Sequence, residues 1–118
     1  MPRATNAPAS RKRRQRRLTQ AKGFRGSRSK LFRQATEAVD RAMAQAFEHR
    51  KQKKRDYRRL WTVRVSAACR ARGISYGRLI EGLQKAGVTL NRKMLSEIAI
   101  HDPDGFGAIV ECAKAKVS

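Results

Sequence analysis

A run of 46 residues without glycine or proline, from Ser27 to Arg72, most constrains what this chain folds into. Glycine and proline are the strongest helix breakers, so their absence predicts one very long helix. We expect Ser27 or Ser29 to cap its start and Gly73 to end it in the left-handed conformation. A continuous helix of this length is roughly 70 Å long, which exceeds a globular core of this size. Part of the helix must therefore project or lie on a partner.

Apolar residues form a stripe along only the first half of this run. The stripe consists of Phe32, Ala35, Val39, Met43 and Phe47, which follow one another in steps of three and four. A coiled coil needs apolar a and d positions sustained over several heptads, and this stripe stops at Phe47. The pattern therefore disfavours a coiled coil.

Beyond the stripe, residues 48–59 are basic on every face of the expected helix. They hold seven cations and two anions, with Tyr57 as the single large apolar side chain. A surface helix normally keeps one apolar face. A helix that is basic all round is instead suited to threading through a polyanion and contacting phosphates around its circumference. A solvated linker helix is the alternative, and it fits a milder charge run better.

Charge and apolar residues divide unequally between the two halves of the chain, whose net charge is +20 over 118 residues. Residues 1–59 hold 20 basic, 4 acidic and 9 large apolar side chains, whereas residues 60–118 hold 9, 5 and 19. A chain this basic repels itself unless a polyanion is near. We predict three segments: a basic arm and glycine loop (1–26), an exposed helix (27–59) and a compact helical module (60–118).

The arm lacks the apolar residues that a core requires. Residues 1–10 are small and polar with two prolines, and we expect them to be disordered in the free protein. Residues 11–17 hold six cations, which oppose any compact form in water, so ordering is expected to come from a ligand.

A short glycine loop follows the arm. Gly23 and Gly26 frame Phe24, which can stack on a base or fill a groove. Arg25 and Arg28 can fork onto phosphate oxygens. A plain loop with one anchoring aromatic is the alternative interpretation.

Three short helices are predicted in the module. Ser75, Asn91 and the pair Asp102-Pro103 are start signals, and Gly87 is expected to end the first of these helices.

Packing inside the module follows from the same pattern. Gly77 and Gly82 predict a close approach to another backbone, and Trp61 is expected to belong to the core because its neighbours at helical spacing are apolar. No stretch alternates as a strand does, so the fold class is all-α, with a basic arm and one very long helix leading into the module.

Catalytic and metal chemistry find little support. The chain has no phosphate-binding glycine motif, no nucleophile elbow and no zinc-protease motif, and His49 and His101 lack a convergent partner set. Cys69 and Cys112 lie 43 residues apart without metal-ligand spacing. We expect no enzyme activity, no cofactor, no metal, no homo-oligomer and, because the apolar runs are short, no membrane span.

Nucleic-acid binding remains, since the basic side chains comprise 19 Arg and 10 Lys and Arg favours bidentate phosphate contacts. A long arm that cannot fold alone suits a large folded RNA. A histone-like or nucleoid DNA-binding protein is the alternative, and composition does not separate the two.

Four motifs together separate them. Residues 22–29 (KGFRGSRS), 54–61 (KRDYRRLW), 82–87 (GLQKAG) and 91–95 (NRKML) resemble the bacterial large-subunit ribosomal protein L20 family in order and spacing. The resemblance runs from about Ala21 to about Lys116.

This resemblance implies a structural constituent of the large ribosomal subunit that binds its ribosomal RNA directly and acts early in assembly. It implies neighbouring large-subunit proteins as further partners and a cytoplasmic, ribosomal location in a bacterium or an organelle. Some members of the family also limit translation of their own messenger RNA.

The residues that we expect to contact RNA lie in all three segments. In the arm and loop they are Arg11, Arg13, Arg14, Arg16, Arg17, Lys22, Arg25 and Arg28. In the long helix they are Arg50, Lys53, Lys54, Arg55, Arg58 and Arg59, and in the module Arg64, Ser75, Tyr76, Asn91, Arg92 and Lys93.

Overall fold

A computed structural model describes residues 6–117, all of whose regular structure is α-helical. The helices are α1 (Ala7–Gln20), α2 (Ser27–Lys30), α3 (Phe32–Ala71), α4 (Tyr76–Lys85), α5 (Arg92–His101) and α6 (Pro103–Val117). The all-α prediction and the single very long helix are confirmed. The chain divides into two compact units, Met1–Lys51 and Gln52–Ser118, and α3 contributes residues to both.

The long helix starts later than the sequence predicts. Leu31 has extended backbone torsions (φ −87°, ψ 122°) and separates α3 from the short helix α2. Neither Ser27 nor Ser29 caps α3, so that prediction is wrong. The Ser29 hydroxyl instead donates to the Gly26 carbonyl oxygen at 3.0 Å, one of the local bonds by which serine competes with helix continuation.

The end of α3 is as predicted. Gly73 has a φ of +68°, which only glycine adopts without strain. The Gly73 and Ile74 amides donate to the carbonyl oxygens of Arg70 and Cys69, each at 3.2 Å. These two bonds satisfy carbonyl groups that the end of the helix would otherwise leave unpaired.

The arm is more ordered than the sequence predicts. Ala7–Ser10 form the first turn of α1, with Pro8 in a position where its missing N–H costs no helical bond. The prediction of disorder is therefore wrong for these residues, while residues 1–5 lie outside the described part of the chain.

A small apolar cluster holds the first unit together. Ala21, Ala35 and Val39 are buried, and Leu18 and Phe24 pack against them. The rest of the apolar stripe stays outside this cluster: Phe32, Met43 and Phe47 are exposed.

The second unit has a larger core to which every helix of the module contributes. Val65 and Cys69 of α3 and Ile74 of the following turn are buried there. Helix α6 packs against both α4 and α5. The other buried side chains of this core are Leu79, Leu83, Leu95, Phe106, Val110 and Ala113.

Trp61 differs from its predicted place. Among the described residues it is half-buried and does not belong to the core of the module. Its ring lies instead beside that of Tyr57, one helical turn earlier, with centroids 6.0 Å apart. Helical spacing placed Trp61 on the correct side of α3 but one turn before the core begins at Val65.

The two glycines of α4 behave differently from each other. A Cβ atom on Gly82 would lie 2.8 Å from the Ala113 Cα, so the predicted close backbone approach is confirmed. Apart from its chain neighbours and the adjacent backbone of α4, no described atom lies within 4 Å of a Cβ built on Gly77, so the same prediction is wrong there.

Candidate nucleic-acid interface

The middle of α3 presents the densest positive charge. Every residue from Arg41 to Leu60 is exposed, which agrees with the prediction that no face of residues 48–59 is apolar. We call residues 48–59 the basic stretch. Its exposed cations are Arg50, Lys51, Lys53, Lys54, Arg55, Arg58 and Arg59.

Acidic side chains neutralise almost none of this charge. Within residues 6–117, the single ion pair of the stretch joins Arg59 to Asp56 at 3.9 Å, and both side chains are more than half exposed. Such exposed pairs contribute little. The stretch therefore keeps a strong positive field that attracts a polyanion.

Two lysines of the stretch lie against aromatic rings on the same helix. Lys51 Nζ is 4.2 Å from the centroid of the Phe47 ring, and Lys53 Nζ is 6.0 Å from that of Tyr57. Both distances fall within the range of cation–π attraction. These pairs were not predicted from the sequence, although their spacing of four residues signals a contact on a helix.

The glycine loop holds three predicted contacts in an exposed position. Lys22, Arg25 and Arg28 are all exposed. Gly23 (φ +89°) and Gly26 (φ +65°) take left-handed backbone conformations that other residues rarely adopt. The two glycines thus shape the turn that carries these cations, as the sequence predicts.

A cleft of about 770 Å³ lies between this loop and the first half of α3, inside the first unit. One wall is formed by Phe24 and Arg25 of the loop and by Ser27 and Arg28 at the start of α2. The other wall is a single face of α3, which the sequence analysis did not identify as part of a site. Its lining residues are Gln34, Glu37, Ala38, Arg41, Ala42 and Gln45.

The arginines of α1 are grouped around a second hollow, of about 600 Å³. Arg13, Arg14, Arg16 and Arg17 line it, whereas Arg11 is exposed elsewhere on the helix.

Arg17 differs from the other arginines of α1. Its Nη1 lies 3.0 Å from Oδ1 of Asp40 in α3 and donates a hydrogen bond to it. Part of its donor capacity therefore serves the contact between the two helices.

Two predicted RNA contacts of the module act as helix caps. The Ser75 hydroxyl accepts from the Arg78 amide at 3.3 Å, and the Asn91 Oδ1 accepts from the Met94 amide at 2.9 Å. Both caps agree with the predicted helix starts. In Asn91 the cap uses the side-chain oxygen and leaves the side-chain nitrogen, Nδ2, available.

Tyr76 and Arg92, also predicted contacts, bind each other. Arg92 Nε donates to the Tyr76 hydroxyl oxygen at 2.8 Å, and both residues are half-buried. This bond joins the first turns of α4 and α5. Arg64 and Lys93, by contrast, are exposed.

One arginine that the sequence analysis did not single out has a structural role. Arg72 donates to the carbonyl oxygen of Pro103, and its guanidinium carbon lies 5.3 Å from the centroid of the Phe106 ring. These contacts connect the end of α3 to the start of α6. No local sequence signal marks them, because the partners lie more than 30 residues away.

Neither a metal site nor a membrane span is evident in the part of the chain that the structure describes. Residues 6–117 contain no group of three or more His, Cys, Asp or Glu side chains placed to hold a metal ion. None of the described helices has the length and apolar character to cross a membrane.

Comparison with known proteins gives a consistent result. The family model described as Ribosomal protein L20 matches residues 3–109. The chain is 56% identical over 117 residues to the large ribosomal subunit protein bL20 of Trichlorobacter lovleyi, covering 99% of this chain and 100% of that protein. It is 54% identical over 116 residues to the bL20 protein of Geobacter sulfurreducens, covering 98% and 99%. The bL20 protein of Opitutus terrae is 54% identical over 114 residues, covering 97% and 90%.

Proposed function

The chain belongs to the ribosomal protein L20 family, and we propose that it is a non-catalytic structural constituent of the large ribosomal subunit. In this role it binds large-subunit ribosomal RNA directly, contacts neighbouring large-subunit proteins and acts early in assembly. Its place is the ribosome in the bacterial cytoplasm.

The observation that carries the proposal is the basic stretch of α3. A helix with seven exposed cations and one weak ion pair has the charge that phosphate backbones neutralise. The histone-like alternative needs the same charge. It is disfavoured because the related proteins are named as proteins of the large ribosomal subunit.

We assign RNA contacts mainly to predicted residues whose side chains are exposed. We assign phosphate contacts to the exposed arginines of α1, to the loop cations and to the basic stretch of α3. Ser75 and Asn91 are assigned to RNA only through groups that their caps leave available. The three-segment division also remains part of the proposal, with a basic arm and loop (1–26), an exposed helix (27–59) and a module (60–118).

Salt titration of binding tests the proposal. Full-length protein is titrated against large-subunit ribosomal RNA, small-subunit ribosomal RNA and double-stranded DNA over a series of salt concentrations. We expect the large-subunit RNA to bind tightest, with a logarithmic salt slope of about −0.7 to −0.9 for each phosphate contacted. Binding to DNA that equals or exceeds binding to this RNA would support the nucleoid alternative instead.

A matched pair of double variants locates the charge that matters. Lys53→Gln with Lys54→Gln removes two cations of the basic stretch, and the slope is expected to become shallower by about 1.5. Lys85→Gln with Lys116→Gln removes the same charge from the module and is expected to leave the slope unchanged. Equal effects of the two double variants would contradict threading of α3 through RNA.

A further inference from the structure

The cleft between the glycine loop and α3 combines chemical groups that the phosphate-binding role does not require. On α3, each lining residue from Gln34 to Gln45 has another three or four positions away, so together they form one face of the helix. Two of them, Ala38 and Ala42, are small and leave an apolar floor between the flanking polar side chains.

Three arginines surround this floor without an acidic partner. Arg25 and Arg28 approach from the loop and Arg41 from the helix. Within residues 6–117, no carboxylate forms an ion pair with any of the three, and Glu37, the one acid of the cleft, also forms none. The cleft thus carries a net positive charge together with one carboxylate, that of Glu37, which forms no ion pair with a described residue.

Phe24 supplies an aromatic surface at the same place. It packs against the buried cluster of Ala21, Ala35 and Val39 and also lines the cleft. The cluster fixes the position of the ring, so little side-chain entropy remains to be lost when a planar group stacks on it.

We propose that this cleft binds a single unpaired nucleotide of RNA, an inference that rests on the proposed function and deepens it. The base stacks on Phe24 over the apolar floor, as bases of single-stranded RNA do on exposed aromatic rings. The arginines bind the flanking phosphates. The amides of Gln34 and Gln45 and the carboxylate of Glu37 bond the edge of the base or the ribose hydroxyl.

The composition of the cleft favours a nucleotide over an acidic peptide. A peptide carboxylate would use the arginines but would leave the aromatic ring and the two amides without a matching group. A nucleotide uses all three kinds of group at once. The volume of about 770 Å³ is in the range of pockets that hold small organic molecules.

Crosslinking tests this inference directly. Full-length protein is bound to large-subunit ribosomal RNA in which 4-thiouridine replaces uridine, is irradiated and is digested with trypsin. We expect the peptide containing Phe24 to carry a nucleotide from one unpaired position. That same nucleotide is expected to be protected from chemical probing in the complex.

Substitutions of aromatic rings inside and outside the cleft provide a second test and its control. Phe24→Leu keeps an apolar side chain on the buried cluster but removes the stacking surface, so affinity is expected to fall roughly 5- to 150-fold and the nucleotide to become reactive. Phe47→Leu, which changes an exposed ring of α3 outside the cleft, is expected to leave the reactivity of that nucleotide unchanged. Gln45→Ala alters the cleft without touching the cluster and is expected to expose the same nucleotide even if Phe24→Leu perturbs folding.

The outcomes separate the two proposals. Wild-type protein that fails to bind large-subunit RNA overturns the proposed function and this inference together. If wild-type protein binds large-subunit RNA normally but Phe24→Leu and Gln45→Ala leave the probing pattern unchanged, only the inference of a nucleotide site is overturned. A Phe24 crosslink to a peptide of a neighbouring protein in intact subunits also overturns it.

Discussion

Gly82 of α4 lies directly against the backbone of Ala113 in α6, so that a Cβ atom at position 82 would come within 2.8 Å of the Ala113 Cα. Backbone cannot move aside as a flexible side chain can. We therefore predict that Gly82→Ala lowers the free energy of unfolding of the module by about 1–3 kcal/mol, although alanine is the better helix former. Urea unfolding followed through Trp61, the single tryptophan, measures this change.

Gly77 on the same helix provides the matched control. Space is open around a Cβ at this position among the described residues, and its φ is not in the left-handed region. Gly77→Ala is expected to stabilise the module by up to about 1 kcal/mol through helix propensity alone. Equal destabilisation by both variants would mean that the approach of α4 to α6 is not what constrains position 82.

The cap formed by Asn91 distinguishes a structural role from RNA contact. Asn91→Ala is expected to cost about 1 kcal/mol of stability because the Met94 amide loses its acceptor. Asn91→Ser retains a capping oxygen and is expected to retain stability. Because Asn91→Ser removes the amide group that we assign to RNA, it is expected to bind large-subunit RNA more weakly at unchanged stability. Unchanged affinity would show that the cap is the whole role of this residue.

The two cysteines are expected to differ in reactivity. Burial raises the pKa of the Cys69 thiol, and the nearby Arg72 guanidinium lowers it by less, so Cys69 stays protonated at neutral pH. Cys112 is exposed. A thiol reagent at neutral pH is predicted to modify one cysteine per folded chain and the second only in urea. Cys112→Ser should abolish the fast reaction, and fast modification of two thiols in the native protein would contradict the packing of Cys69.

Proteolysis tests the ordering of the arm. Helix α1 has no buried residue and depends on Leu18 at its end for packing, so it is expected to open locally far more often than the module. Trypsin is predicted to cut residues 11–17 of the free protein before it cuts the module, and to cut them slowly in intact large subunits. Equal rates in both settings would count against ordering of the arm by RNA.

Local signals made much of the fold predictable. The caps at Ser75 and Asn91, the start at Asp102-Pro103 and the glycine ends of α3 and α4 each depend on residues within one helical turn. The break at Leu31 was not predictable in this way, because leucine is a good helix former and only its observed torsions mark the interruption.

Contacts between distant residues account for what the sequence analysis missed in the candidate site. The bond from Arg17 to Asp40 joins residues 23 positions apart, and that from Arg92 to Tyr76 joins residues 16 apart. The cleft likewise forms only when the glycine loop folds against α3. Phe24 and its flanking arginines were recognisable from the sequence, whereas the helix face that completes the cleft was not.

Crosslinking in living cells tests the central claim most directly. Protein tagged at its carboxyl end is crosslinked to nucleic acid by ultraviolet light, purified under denaturing conditions, and the attached nucleic acid is sequenced. Sequences from large-subunit ribosomal RNA are predicted to dominate, and the double variant Lys53→Gln with Lys54→Gln is predicted to recover fewer of them. Recovery of chromosomal DNA or of small-subunit RNA as the main species would contradict the account.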